Sequence, residues 1–176
     1  MNSRFRGMDG RSRVGGFNLI ELLITLAVIT LAIGVGVPMY STFTQESSVS
    51  GATSELVASF ADARSRAAAE RATIRVRAIN DEWLRGWQIV RLNDFADDTD
   101  DEVLFTVSRN DFTLSVTEAN GLTELDFNRE GRAESGEAPV QAEFDIRIAG
   151  GEAGSPVRTL SVSPLGRINV EKSHVN

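Results

Sequence analysis

The sequence contains no cysteine and only one histidine, His174, among its 176 residues. Without cysteine no disulfide can form, and the thiolate that often serves as a nucleophile or metal ligand is missing. His174 lies near the end of the sequence, where we expect a frayed chain and therefore a poor general base. Serines without a base to activate them are typical of a surface. The composition therefore predicts a protein that is not an enzyme and that has no cofactor.

Basic residues are also scarce, apart from the first 16 positions. The formal net charge is -7, and residues 17–176 alone carry 14 basic and 24 acidic groups, a net of -10. Such a surface repels nucleic acid and anionic lipid headgroups unless basic groups are locally concentrated. Residues 1–16 contain only one acidic residue, Asp9, and four arginines, which are Arg4, Arg6, Arg11 and Arg13.

Residues 17–37 form an apolar run with a single ionisable residue, Glu21. A helix of these 21 residues, rising about 1.5 Å per residue, would just cross a hydrocarbon core of about 30 Å. The arginines precede this run, whereas residues 38–51 contain no Lys or Arg. This asymmetry predicts a single membrane span with its N-terminal side in the cytoplasm and its C-terminal domain outside. Glu21 is costly in hydrocarbon and predicts a specific partner.

Residues 16–24, Gly-Phe-Asn-Leu-Ile-Glu-Leu-Leu-Ile, closely resemble the class III prepilin motif of type IV pilins and type II secretion pseudopilins. The resemblance implies that prepilin peptidase cleaves between Gly16 and Phe17 and that Phe17 is then N-methylated. It also implies that Glu21 pairs with the Phe17 amine of a neighbouring subunit during assembly. Such an ion pair in an apolar bundle would set the register between helices, which apolar surfaces alone do not.

Two residues of this segment and two alternative interpretations bear on the resemblance. Pro38 falls where the family softens or bends its helix. Asn18 departs from the family pattern, in which Thr or Ser is commoner. An ordinary secretory signal is the alternative interpretation, but it would need a shorter apolar core and a small-x-small cleavage site, which residues 35–38 supply poorly. A plain membrane anchor would leave Glu21 unexplained.

Beyond Pro38 the pattern predicts first a helix and then strands. Apolar residues recur at steps of three and four at Val49, Ala52, Leu56, Phe60, Ala63 and Ala67. From residue 73 the period becomes two, and the predicted strands cover residues 73–79, 86–92, 103–107, 112–116, 122–127, 143–148, 157–162 and 167–170. The first two strands are expected to join through residues 80–82. The sequence therefore predicts an α+β protein, a long N-terminal helix followed by a β-rich head.

Residues 83–90, 125–132 and 160–167 resemble the GspH/FimT branch of minor pilins and pseudopilins. The resemblance implies a head of two packed antiparallel sheets and a subunit of a type II secretion pseudopilus or a type IV pilus, located near its tip. Its partners would be other major and minor pilins or pseudopilins, prepilin peptidase and the bacterial inner membrane, with the head in the periplasm. We expect a leader at residues 1–16, a transmembrane and assembly helix at 17–38, an amphipathic helix at 39–71 and the head at 72–176.

Two further groups of residues suggest weaker sites. Carboxylates crowd residues 94–102, and Asp97, Asp98, Asp100 and Asp101 could form an oxygen cage for Ca²⁺, although their spacing does not match an EF-hand. Charge-dense loops are more often simply solvated.

Trp83 and Trp87 are expected to pack in the core rather than to form a binding platform.

Residues 166–169 align with a Gly-Arg-x-Arg motif that the DNA-uptake members of the FimT branch use to hold DNA. Asn169 replaces the second arginine, which removes about one phosphate contact from an acidic head. Arg129, Arg132, Arg158 and Arg167 could gather on one edge of the head, and Arg129, Arg132 and Arg167 are the candidate DNA contacts. The alternative is that these are surface arginines covering a sheet. Two functions therefore stand as alternatives to the filament subunit: a FimT-like DNA-binding minor pilin for transformation, and an anchored periplasmic binding domain that never polymerises.

Overall fold

The computed structural model describes residues 18–93, 101–109 and 113–175, without the side chains of residues 35–38. These ranges contain one helix, α1 (Leu19–Glu70), and ten strands. The strands are β1 (Ile74–Ile79), β2 (Glu82–Arg91), β3 (Glu102–Ser108), β4 (Leu114–Glu118), β5 (Glu124–Phe127), β6 (Ala133–Ser135), β7 (Ala138–Pro139), β8 (Ala142–Ile148), β9 (Pro156–Val162) and β10 (Ile168–His174). The chain divides into two compact units between Tyr40 and Ser41.

The described part of the first unit is the N-terminal portion of α1, which begins with a side-chain cap. The Oδ1 atom of Asn18 accepts a hydrogen bond from the backbone N–H of Ile20 at 3.4 Å. Asparagine ranks with serine and aspartate among the strongest N-caps, so Asn18 can replace the Thr or Ser expected there. α1 is the one helix in the described ranges that is long and apolar enough to cross a membrane by length and composition, with a mean hydropathy of 2.4 in its most apolar window.

The second unit holds the remainder of α1 and two antiparallel sheets. The strand order is β3-β2-β1-β5-β6-β7 in the first sheet and β10-β9-β8-β4 in the second. β1 lies at the centre of the first sheet, paired to β2 on one side and to β5 on the other. This architecture confirms the predicted α+β class, a long helix followed by a β-rich head of two sheets.

The predicted apolar face of α1 is the helix contribution to the core. All six of its residues are less than 5% exposed. Phe60 lies at the centre, with its ring centroid 6.2 Å from that of Phe127 in the first sheet and 5.2 Å from that of Phe144 in the second. Helix and both sheets therefore share one core.

Both tryptophans are buried, which confirms their predicted packing role. Trp83 and Trp87 are 4% and 1% exposed. The indole N–H of Trp87 donates to the hydroxyl of Ser59 on α1 at 2.8 Å, and that of Trp83 donates to the carbonyl of Leu122 at 2.7 Å. Because a buried indole needs a partner for its N–H, these bonds offset the cost of removing both N–H groups from water.

The eight predicted strands are present, with shifted bounds. β2 begins at Glu82, four residues earlier than predicted, because Asn80 and Asp81 form a two-residue turn with φ values of 54° and 62°. This backbone is the one that tight hairpins prefer. β6 and β7 were not predicted, since strands of three and two residues are too short to show a period. The predicted start of β4 at Phe112 lies outside the described residues.

The expectation that the chain frays before His174 is wrong. β10 extends from Ile168 to His174, and His174 is the register partner of Pro156 in β9. The antiparallel pairing to β9 orders this end of the chain through backbone hydrogen bonds, which composition alone could not reveal.

Candidate functional site

The predicted assembly segment lies at the start of α1. Glu21 follows the Asn18 cap by three residues, in the first helical turn, and its backbone N–H donates to the carbonyl of Asn18 at 3.0 Å. A carboxylate in the first turn is favoured by the partial positive charge of the helix N-terminus. The Glu21 side chain is exposed and lies between the exposed apolar residues Ile20 and Leu22. A single negative charge is thus presented on an apolar helix surface.

The other residues predicted for this segment are placed as follows. Gly16 and Phe17, the expected cleavage and methylation residues, lie outside the described residues. Pro38 lies within α1, and the bend expected there stays a prediction. The hydroxyls of Thr25 and Thr30 donate to the carbonyls of Leu22 and Leu26 at 2.9 and 2.8 Å, so both hydroxyls find their hydrogen-bond partners within the helix.

In the head, two five-residue hairpin loops meet, one from each sheet. They cover residues 128–132 between β5 and β6, and residues 163–167 between β9 and β10. The fourth residue of each loop is a glycine with positive φ, Gly131 at 73° and Gly166 at 70°. Each of these glycines donates its N–H to the first carbonyl of its own loop at 2.7 Å. Two segments that resemble the GspH/FimT branch therefore end in matching turns.

The contact between these loops explains why residue 166 is glycine, whereas a Cβ atom on Gly131 would lie 3.2 Å from the Arg64 side chain of α1. A Cβ atom on Gly166 would lie 2.1 Å from the carbonyl oxygen of Gly131, a distance that no real side chain tolerates. The Nε–H of Arg64 on α1 donates to that same carbonyl at 3.2 Å, so the helix is tied to the junction. Ala133, the first residue of β6, donates its N–H to the carbonyl of Pro164 at 3.1 Å and so joins the first sheet to the second loop.

The candidate DNA contacts lie on these two joined loops. Arg129 and Arg132 belong to the first and Arg167 to the second, and all three are exposed. The sequence alone could not show that residues about 35 positions apart share one surface. Glu130 is also exposed on the first loop, and Asn169 donates to Glu171 at 3.5 Å. The surface therefore mixes both signs of charge.

The proposed calcium ligands are only partly described. Asp97, Asp98 and Asp100 lie outside the described residues, while Asp101 accepts a hydrogen bond from the backbone N–H of Asn93 at 3.3 Å. In the ranges that the structure describes, no group of three or more His, Cys, Asp or Glu residues is placed to hold a metal ion.

Ion pairs elsewhere on the head have structural roles. Arg75 of β1 donates two hydrogen bonds to the 6%-exposed Asp126 of β5, at 2.7 and 2.9 Å, and so pairs neighbouring strands. Arg66 donates to Asp62 one turn earlier on α1 at 2.7 Å. This hydrogen bond and the attraction to the Asp62 carboxylate raise the pKa of the Arg66 guanidinium above its ordinary value.

The sequence analysis did not predict the burial of Arg158 or the groove beside it. Arg158 in β9 is only 9% exposed and lines a groove of about 480 Å³ between α1 and strands β9 and β10. Pro156, Leu160 and Val162 alternate with outward residues on the same strand and are buried. An arginine at an inward position of such a strand was the signal that could have revealed this groove.

The comparisons with known proteins identify the family. The sequence model of the family described as "Type II transport protein GspH" matches residues 52–166, about two thirds of the chain. The chain belongs to the GspH family. A search of curated proteins finds no match.

Two crystal structures of the Pseudomonas aeruginosa type IV minor pilin FimU resemble this GspH-family chain. One is 29% identical, covers 69% of this chain and 91% of the FimU chain, and gives a TM-score of 0.56. The other, in a second crystal form, is 28% identical, covers 73% and 92%, and gives a TM-score of 0.59. The chain is thus a GspH/FimT-family minor pilin or pseudopilin, and these families are structural, non-enzymatic subunits. One long apolar helix with a pilin-like head fits a membrane-anchored, single-pass protein that interacts with other pilins.

Proposed function

We propose that this protein is a minor pseudopilin or pilin that prepilin peptidase cleaves between Gly16 and Phe17 and that then joins a type II secretion pseudopilus or a type IV pilus near its tip. Methylation of the Phe17 amine follows cleavage. The family match and the likeness to a type IV minor pilin support this assignment.

The observation that carries the proposal is the exposed apolar surface of α1. Every described side chain from Leu19 to Gly34 is exposed. Large apolar patches on a soluble surface mark a missing partner. Lipid would cover this surface before assembly, and the helices of neighbouring subunits would cover it afterwards. Glu21 then has a use, because pairing with the Phe17 amine of a neighbour compensates its charge and selects one register of packing.

The proposed topology follows from the charge asymmetry. The arginines before the span hold residues 1–16 in the cytoplasm, α1 crosses the bacterial inner membrane as far as Pro38, and the head lies in the periplasm. On this scheme the chain has a leader at residues 1–16, an assembly helix at 17–38, an amphipathic helix at 39–71 and a head at 72–176.

Mass spectrometry of two cell fractions tests this proposal. We expect the membrane-extracted protein to begin at Phe17 and to carry one methyl group, and the sheared filament fraction to contain the same species. A chain that keeps residues 1–16 would refute prepilin processing. A processed chain that never enters the filament fraction would instead support an anchored domain that does not polymerise.

DNA binding remains a second candidate function, because the loops that carry Arg129, Arg132 and Arg167 meet. The exposed Glu130 and the net charge of -10 beyond residue 16 oppose it. We therefore expect only weak DNA binding by the purified protein in a gel-shift assay. Tight binding whose affinity falls steeply with salt, and which is lost in Arg167→Gln, would reverse the order of the two functions.

A further inference from the structure

The groove beside Arg158 lies within the second unit and combines two basic side chains with a polar helix surface. Arg158 and Lys172 line it from neighbouring strands, and α1 forms its other wall. These two residues are register partners in the β9–β10 ladder, so their side chains leave the same face of the sheet. Two cations this close repel each other and favour an anion between or beside them.

Arg158 is buried but only weakly paired. Its one assigned hydrogen bond within the described residues goes from Nη2 to Glu46 Oε1 at 3.4 Å, near the limit for such a bond. A guanidinium carries five N–H donors. Among the described residues, the Arg158 nitrogens are not fully buried atoms without a partner, so its remaining N–H groups reach the solvent in the groove. The Glu46 side chain is 56% exposed and offsets one of the two positive charges. The groove therefore keeps a net positive charge and unused hydrogen-bond donors.

The helix wall supplies hydroxyl groups. Ser47, Ser50 and Ser54 are spaced by three and four residues, so they share one face of α1. Within the described residues, the structure assigns no hydrogen bond to these three hydroxyls. A phosphate group offers several strong acceptor oxygens, which matches a site with two cations and three hydroxyl donors.

An apolar side chain at the end of the groove favours a lipid headgroup over free phosphate as the anion. Phe43 lines the groove and is 71% exposed. It follows Pro38, where the apolar run ends, by five residues, which is about 8 Å of helix. The headgroup layer occupies about 5–8 Å on each side of the hydrocarbon core, and aromatic residues are enriched there.

We propose that this groove binds the phosphate of an anionic phospholipid headgroup, with Arg158 and Lys172 contacting the phosphate oxygens and Phe43 lying against the glycerol end of the lipid. Residues 17–176 carry a net negative charge, and the two basic groups of this groove give the head one place at which it can approach an anionic membrane. The lipid source rests on the proposed membrane topology, whereas the phosphate chemistry does not.

The test uses the full chain in uncharged detergent micelles, titrated separately with inorganic phosphate, short-chain phosphatidylglycerol and short-chain phosphatidylcholine. Tryptophan fluorescence reports thermal unfolding of the head, since Trp83 and Trp87 both lie in its core. Phosphatidylglycerol should raise the midpoint of unfolding in a saturable manner and phosphatidylcholine much less. Inorganic phosphate should act only at higher concentration, because it lacks the contact with Phe43.

Four variants show whether the groove is responsible. Lys172→Gln, at an exposed residue, should weaken the affinity for phosphatidylglycerol about fivefold, as expected for one basic group at an anionic surface. Arg158→Gln should weaken it further, with its unliganded midpoint measured as a check on folding. Glu46→Gln should strengthen binding, because it removes the competing carboxylate. Arg147→Gln, the same charge change at an exposed site on β8, is the control and should leave affinity unchanged.

Each contrary result has a distinct meaning. Equal loss of affinity in Arg147→Gln and Lys172→Gln, or weaker binding in Glu46→Gln, would overturn the proposal. Phosphate binding that depends on Lys172, without preference for phosphatidylglycerol over phosphatidylcholine, would overturn the lipid source alone. Acetate competing as well as phosphate would overturn the phosphate assignment in favour of a protein carboxylate. None of these outcomes depends on leader cleavage or filament entry, so they are separable from failure of the proposed function.

Discussion

The two ends of α1 both carry apolar side chains but place them in opposite environments. Residues 49–67 bury six apolar side chains against both sheets, all less than 5% exposed, whereas Leu19 and Leu31 are 75% and 73% exposed. One end thus finds its packing partner inside the chain, and the other requires a partner outside it. On the function proposed above, one part of a single helix serves folding and the other part serves assembly.

The largest expected effect concerns the N-terminal part of α1, whose apolar side chains are exposed. Glu21→Val should leave membrane insertion and cleavage intact but prevent entry into the filament, because the variant lacks the charge that pairs with a neighbour's Phe17 amine. Immunoblots of membrane and sheared filament fractions measure both steps. Thr25→Val, a nearby change that alters no charge, is the control and should assemble. Normal assembly of Glu21→Val would refute the role given to Glu21.

The next largest effect concerns the part of α1 that packs against the two sheets. Phe60→Ala should lower the free energy of unfolding of the head by about 3–5 kcal/mol, because it leaves a cavity where helix and sheets meet. Urea denaturation of the full chain in micelles, followed by tryptophan fluorescence, measures this change. Leu31→Ala, at an exposed position, should leave head unfolding unchanged. An equal loss in both variants would show that α1 does not divide its roles in this way.

A smaller effect concerns the contact between loops 128–132 and 163–167, which Arg64 connects to α1. Gly166→Ala should cost more than the roughly 1–2 kcal/mol of a left-handed backbone, because its Cβ would also clash with the Gly131 carbonyl. Gly121→Ala is the matched control, since Gly121 has φ 73° but nothing within 4 Å of its Cβ position. The same urea experiment compares them. Equal losses would mean that the loop contact contributes nothing beyond backbone strain.

The smallest effect concerns an exposed ion pair on the part of α1 that packs against the sheets. Asp62→Asn should change the free energy of unfolding by about 0.5 kcal/mol or less, as for other exposed helix pairs. A raised arginine pKa adds stability that is fully present below the pKa of the unfolded chain and is lost only as pH rises through the still higher folded pKa, far above neutrality. The Arg66 contribution should therefore not vary between pH 5 and 9. A clear pH dependence of the Asp62→Asn effect near neutrality would contradict this.

The candidate functional residues fall into two groups: those determined by the local sequence and those determined by contacts between distant segments. Glu21 and the buried face of α1 could be predicted, because a lone carboxylate in an apolar run and a helical period are local properties of the sequence. The meeting of Gly131 with Gly166 and the pairing of Arg158 with Glu46 could not. These contacts join residues 35 and 112 positions apart, and no local period records which loop or strand lies beside which.

The sequence by itself determined the apolar span, the buried face of α1, most of the strands and the family resemblance, because periodicity and short motifs are local properties. Only the tertiary structure decided the strand order, the extension of β10 to His174 and the groove that holds Arg158. Those features depend on non-local hydrogen bonds and packing, whose free energy is gained only when distant segments meet.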